Sequence, residues 1–397
     1  MNSIVAAIKP SATLAIAAQA REMAAQGVRV HSFAAGEPDF DTPQVVKDAA
    51  CRAIAEGKTK YTAARGMPGL CAAVARKFAE KNGISYDPAT EILVSSGGKQ
   101  SLCYAFEALL ERGDAVLIPS PYWLSYPEMV RIAGGEPVFV PTKAADGWKV
   151  TPASLEKAVA AAGGRAKVLV LNYPSNPTGA VYSGEELRAV GEAALRLGLW
   201  IVADEMYERM VYTGAPFVSV ASLSPELRER TVTVNGCSKA YAMTGWRIGY
   251  AGAPARVASL MATCQSHLAS NPCTPAQYAA LAALEDPEAE RAVQPMLKAF
   301  AARAELIYSL LSKIEGVSLS KPEGAFYVFP DVSSFGLGSV EFCSRLLREE
   351  SVAAVPGLPF GDDGCVRFSY ACSTETIEEG IARVAKFCAR LRAAKGA

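Results

Sequence analysis

Short apolar runs recur along the first two-thirds of the chain, at 92–95, 115–118, 138–140, 167–171, 200–203, 231–234 and 248–252. Helical periodicity fills several of the intervals, notably 99–110 and 184–197. Apolar strands alternating with helices predict an α/β unit around a mostly parallel sheet buried on both faces. Upstream, 15–26 reads as an amphipathic helix stopped by Gly27. The turn-rich loop 36–43 then leads into a helix over 43–56. Beyond about Ala255 the pattern changes to long helices, at 274–284 and 288–312. Shorter strands follow at 325–328, 352–355 and 365–370. That change predicts a larger domain over 46–290 and a smaller α+β domain over 291–397, which the N-terminal segment 1–45 joins. No repeat or low-complexity tract interrupts this order.

At 397 residues the chain exceeds one compact core and fits roughly two to three domains. Forty Lys and Arg balance forty Asp and Glu, which argues against nucleic acid or an anionic membrane as the main partner. Ten scattered cysteines form no C-x-x-C pair and read as thiols in a reducing cytosol. Only His31 and His267 are available as imidazoles, so neither a metal site nor a Ser-His-Asp triad is expected. Lys9-Pro10 splits the Ala-rich N-terminus before a signal-type apolar core develops, and no run approaches the ~18 apolar residues of a membrane span. The expectation is a cytoplasmic protein.

The chemistry gathers where strands end, the place at which open α/β sheets bind ligands. The run 231–234 leads through Asn235-Gly236-Cys237-Ser238 to Lys239, with Arg247 eight residues further on. A lysine held past a strand end among apolar neighbours has a lowered pKa and can form a Schiff base with a carbonyl. Ser95-Ser96-Gly97-Gly98-Lys99 joins a strand to a helix, and its glycines let backbone amides approach an anion. The strand Trp200-Ile201-Val202-Ala203 ends in Asp204, with Tyr207 three residues on. A buried Asp needs a cationic or strongly donating partner, and a protonated ring nitrogen would serve. Asn176, in Asn172-Tyr173-Pro174-Ser175-Asn176-Pro177, offers an amide to a phenolate oxygen, and Trp123 offers a face for stacking. Arg367, inside an apolar strand, suits a bidentate grip on a carboxylate. One ligand satisfies these groups together: pyridoxal 5′-phosphate.

The motifs Ala35-Gly36-Glu37-Pro38-Asp39-Phe40-Asp41-Thr42-Pro43 and Ser238-Lys239-Ala240-Tyr241-Ala242-Met243-Thr244-Gly245-Trp246-Arg247 take the reading further. With them the chain resembles, nearly end to end, the class I/II aminotransferases of the type-I pyridoxal phosphate fold. More narrowly, it is similar to the bacterial aspartate and aspartate/prephenate aminotransferases. The resemblance implies that Lys239 carries the cofactor and shuttles the proton at substrate Cα. Asp204 would hold the pyridine nitrogen protonated, and Tyr207 and Asn176 would donate to the ring oxygen. Trp123 would stack on the ring, while Gly98, Lys99 through its backbone, Ser238 and Arg247 would hold the phosphate. Arg367 would grip the substrate α-carboxylate with the backbone of Gly36, beside Trp123 and Asn176. Lys9 would meet a distal carboxylate.

Lys58-Thr59-Lys60-Tyr61 matches the family segment whose Tyr reaches the neighbouring subunit's phosphate, which implies a homodimer with shared sites. The segment 265–272, with His267, corresponds to one lining the distal pocket. Two positions depart from the pattern: Gly236, where animal-type relatives carry a phosphate-binding Ser, and Tyr173, a bulky residue expected to narrow the substrate pocket. The implied reaction is transamination of an L-amino acid, foremost L-aspartate with 2-oxoglutarate, giving oxaloacetate and L-glutamate. An aromatic or prephenate/arogenate aminotransferase, or a lyase on the same fold, is the alternative.

Overall fold

The computed structural model describes residues 6, 8 and 12–395. The helix Ala12–Ala25 precedes a two-residue strand, β1 (His31–Ser32), and the helix Gln44–Ala55. Seven strands then build one sheet: β2 (Ile92–Ser95), β3 (Ala115–Ser120), β4 (Glu136–Pro141), β5 (Ala166–Asn172), β6 (Trp200–Asp204), β7 (Thr231–Gly236) and β8 (Gly249–Gly252). Their spatial order is β2-β8-β7-β6-β5-β3-β4. Only β8 runs against its two neighbours. The expected α/β architecture with a mostly parallel sheet is therefore what the chain adopts.

Side-chain alternation along the central strands explains why their sequences are apolar throughout. Val168 and Val170 of β5 pack into a core with Leu102 and Met261, while Leu169 and Leu171 point into a second core with Leu187 and Val190. Both faces are buried under helices, so every position is selected for apolarity.

The chain beyond the sheet forms two smaller assemblies. β1 pairs in parallel with β10 (Val352–Ala353). β11 (Val355–Pro356) and β9 (Tyr327–Val328) flank β12 (Val366–Ser369) in antiparallel register. The single strand expected over 352–355 is thus two strands in two sheets, parted at Ala354. Every residue from Val352 to Val355 is buried, so hydropathy carries no mark of the break. The sequence reading also leaves unnamed the helices Pro68–Lys77, Tyr126–Ile132, Pro152–Ala161, Ala255–Leu268, Ser339–Glu350 and Thr374–Lys395. Among the described residues no helix is long and apolar enough to cross a membrane.

Candidate active site

The parallel strands deliver their last residues to one cavity of about 390 Å³. β5 ends in Asn172 and β6 in Asp204, while β7 turns through Gly236 into the short helix Cys237–Ala240 that carries Lys239. β2 passes through Gly97 into the helix Gly98–Leu109, whose N-terminus has no side-chain cap. β12 brings Arg367 and β9 brings Tyr327 from the other side. Of the residues singled out in the sequence, Gly36, Gly98, Lys99, Trp123, Asn176, Asp204, Tyr207, Ser238, Lys239, Arg247 and Arg367 all line this cavity.

Lys239 Nζ donates to the Gly36 carbonyl. Loss of water around the amine is the main cause that brings its pKa down to about 8; nearby Glu37 opposes the shift, and Arg247 and Arg367 add to it. Asp204 is buried. Its Oδ2 accepts from Tyr126 Oη at 2.7 Å and its Oδ1 from the Met206 amide at 3.2 Å. Burial raises this carboxyl's pKa, against those two hydrogen bonds and the Lys239 charge. Tyr207 Oη lies 2.9 Å from Tyr327 Oη, and burial pushes its pKa well up.

Arg367 is 2 % exposed. Its Nη1 donates to Asn176 Oδ1 at 3.0 Å and its Nη2 to the Ala34 carbonyl at 3.3 Å, while its Nε has no partner. The guanidinium sits 4.4 Å from the ring centre of Tyr327 and 5.0 Å from that of Phe360. Arg247 has φ of 56° and anchors Nη1 on the Thr244 carbonyl at 2.8 Å. Its guanidinium covers Gly97 so closely that a Cβ there would lie 2.3 Å from Nη2, and one at Gly98 would lie 2.4 Å from the Met206 methyl. Lys99 Nζ lies 4.9 Å over the Trp123 ring. Four cations, Lys99, Lys239, Arg247 and Arg367, thus line a cavity with one carboxylate, Asp204, and none of the four makes an ion pair among the described residues.

Other expectations fall elsewhere. Tyr173 does not narrow the pocket. Strand alternation turns Asn172 into the cavity and Tyr173 to the opposite side, where it stacks on Phe217 at 5.4 Å and donates to Glu205 Oε1 at 3.0 Å. No residue of 265–272 lines the cavity, and His267 is exposed. Tyr61 is 87 % exposed and stands outside the cavity. Lys9 lies outside the described residues. Gly236 is required by the sheet: a Cβ there would meet Gly249 Cα at 3.0 Å and the Ile248 carbonyl at 3.1 Å. Among the described residues no cluster of His, Cys, Asp or Glu could hold a metal.

Asn172, Tyr126 and Tyr327 line the cavity without having been singled out in the sequence. Asn172 carried a usable signal, a polar residue closing an apolar run. The two tyrosines lie among apolar residues and read as core.

The sequence profile of the family described as aminotransferase class I and II matches residues 28–384. An aspartate aminotransferase of Geobacillus stearothermophilus is 47% identical over 388 residues, covering 96% of this chain and 97% of that one. A probable aspartate/prephenate aminotransferase of Aquifex aeolicus is 48% identical over 389 residues, covering 97% and 98%. The structure of the aspartate aminotransferase from Thermus thermophilus with maleate superposes with a TM-score of 0.92 at 45% identity, covering 97% of this chain and 99% of that one. The chain belongs to the class I and II aminotransferases and is itself an aminotransferase.

Proposed function

We propose that this aminotransferase works with pyridoxal 5′-phosphate and moves the amino group of L-aspartate to 2-oxoglutarate, giving oxaloacetate and L-glutamate. The charge pattern of the cavity carries the reading. Four cations against one carboxylate, with Arg367 Nε left without a partner, call for a ligand set rich in anionic groups. A cofactor phosphate and substrate carboxylates supply that set. The choice of aspartate rests on relatives named for it.

The residues fit the cofactor group by group. Gly97 and Gly98 let the Arg247 guanidinium and the Met206 methyl close onto the backbone where any Cβ would clash, beside the uncapped N-terminus of the helix Gly98–Leu109. This is the phosphate cradle, with Lys99 contributing its amide and Ser238 adjoining. Asp204 would face the ring nitrogen, and Trp123 would cover the ring. The Oδ1 of Asn176 is taken by Arg367, so its Nδ2 remains to donate to the ring oxygen beside Tyr207. When bound, the cofactor supplies an aldehyde for the amine and an electron-withdrawing ring for charge developing at substrate Cα. Arg367 and the Gly36 backbone orient the α-carboxylate. Lys239 Nζ, with its pKa brought down to about 8, takes and returns the proton at Cα near neutral pH. Lys9 is the candidate for the distal carboxylate by resemblance alone. Tyr61, exposed and away from its own cavity, suits a homodimer in which each subunit completes the other's phosphate site.

An absorbance titration with a panel of amino acids tests the assignment. The purified protein should carry a visible band that aspartate bleaches and 2-oxoglutarate restores. A protein whose band aspartate leaves unchanged is not an aspartate aminotransferase, and the aromatic or other panel member that bleaches it names the donor.

A further inference from the structure

Tyr327 joins the two halves of the cavity. In the antiparallel register of β9 and β12 it pairs with Ser369, which places it on the same face as Arg367 two residues away. Its ring lies under the Arg367 guanidinium at 4.4 Å, and its hydroxyl lies 2.9 Å from Tyr207 Oη. An ideal Cβ on Gly36, whose carbonyl receives Lys239, would sit 3.5 Å from that same hydroxyl. One side chain thus meets the arginine on the substrate side and the phenol on the cofactor side, and its hydroxyl borders the loop that holds the lysine.

Proton bookkeeping fixes the direction of the tyrosine pair. Each phenol has one proton. If Tyr207 donates into the cavity, its link to Tyr327 must be one in which Tyr327 donates. Charge agrees with this polarity. Burial raises both phenols and the Arg367 charge opposes the shift in each, but the guanidinium lies directly against the Tyr327 ring, 4.4 Å from its centre, which favours Tyr327 as the donor of the pair. The geometry points to Tyr327 as a positioning residue with two separable tasks: its ring seats the carboxylate-binding plane of Arg367, and its hydroxyl commits the Tyr207 proton to the cavity. This assignment rests on the pyridoxal phosphate reading above.

Two variants of the full chain, loaded with pyridoxal 5′-phosphate, separate the tasks. Y327F keeps the ring and removes the donor, while Y327L removes both. A weaker donation from Tyr207 leaves the cofactor's ring oxygen more basic. The pH midpoint of the visible band should therefore rise by about half a unit in both variants. The KM for the amino acid should rise roughly tenfold in Y327L through loss of the cation–π seat, and by much less in Y327F. A wild-type midpoint in Y327F overturns the donor task, and equal KM changes in the two variants overturn the seat. A wild-type chain that takes up the cofactor without a visible band overturns the reading of Lys239 and this assignment with it, an outcome distinct from the other two.

Discussion

Tyr126 Oη donates to Asp204 Oδ2 at 2.7 Å, and this is the one side-chain hydrogen bond to that carboxylate among the described residues. The Tyr126 ring meets Trp123 edge-on at 5.2 Å, so a single residue supports both the face and the nitrogen end of the proposed cofactor site. Y126F keeps the packing and removes the donor. Since that hydrogen bond holds the Asp204 pKa down against burial, its loss lets the pKa rise and leaves less carboxylate to pair with a ring cation. Activity should fall roughly 10- to 100-fold, with weaker retention of pyridoxal 5′-phosphate and little change in unfolding. Steady-state kinetics alongside a cofactor titration measure both effects.

Arg367 is held at both ends of its fork, by Asn176 and by the Ala34 carbonyl, with Nε still unpaired. A lysine keeps the charge but cannot span those acceptors while presenting a planar pair of donors to a carboxylate. R367K should raise the KM for the amino donor roughly 10- to 100-fold and change kcat less. An unaltered KM would move α-carboxylate recognition elsewhere in the cavity.

The sheet was legible because burial on both faces leaves continuous apolar runs, as in the agreement between the expected 92–95 and β2. Much of the site was legible for a related reason: Asp204 closes such a run with a charge, and Lys239 follows one. Other parts were not. Tyr126 and Tyr327 sit among apolar residues, and only their hydroxyl partners reveal a polar task. The resemblance points Tyr173 at the pocket, but a doubly buried run gives no clue to which face the residues at its end take, and Asn172 beside it occupies the cavity. The break between β10 and β11 left no trace for the same reason.

The proposal that each subunit completes the other's phosphate site makes a prediction for mixed dimers. K239A subunits should be inactive, lacking the amine but retaining Tyr61. Y61A subunits retain Lys239 and should hold the cofactor phosphate more weakly. Unfolded together and refolded, the two should form hybrids in which one site pairs an intact Lys239 with an intact Tyr61. Activity per Lys239 at low cofactor should then exceed that of Y61A alone. Strictly additive activity at every mixing ratio would place Tyr61 outside the partner's site.

Glu205, next to Asp204 but turned to the other side of the sheet, is fully buried, and its Oε1 accepts from Tyr173 at 3.0 Å and Ser219 at 2.6 Å. Burial is the largest cause that lifts its pKa from 4.5 to about 8; Glu208 adds to the shift and Lys77 opposes it. Between those values the folded chain keeps a proton that the unfolded chain has released, so rising pH favours unfolding. The stability this group contributes is complete below about 4.5 and lost as pH climbs through about 8. E205Q is neutral throughout and still offers an oxygen to Tyr173 and Ser219. The unfolding free energy of wild type minus that of E205Q should therefore fall across this window, by about 1.4 kcal/mol per pH unit at its steepest. Urea denaturation of both proteins at several pH values measures the difference. Curves that stay parallel would mean that Glu205 is already ionised in the folded chain, held so by Lys77 and the hydroxyls around it.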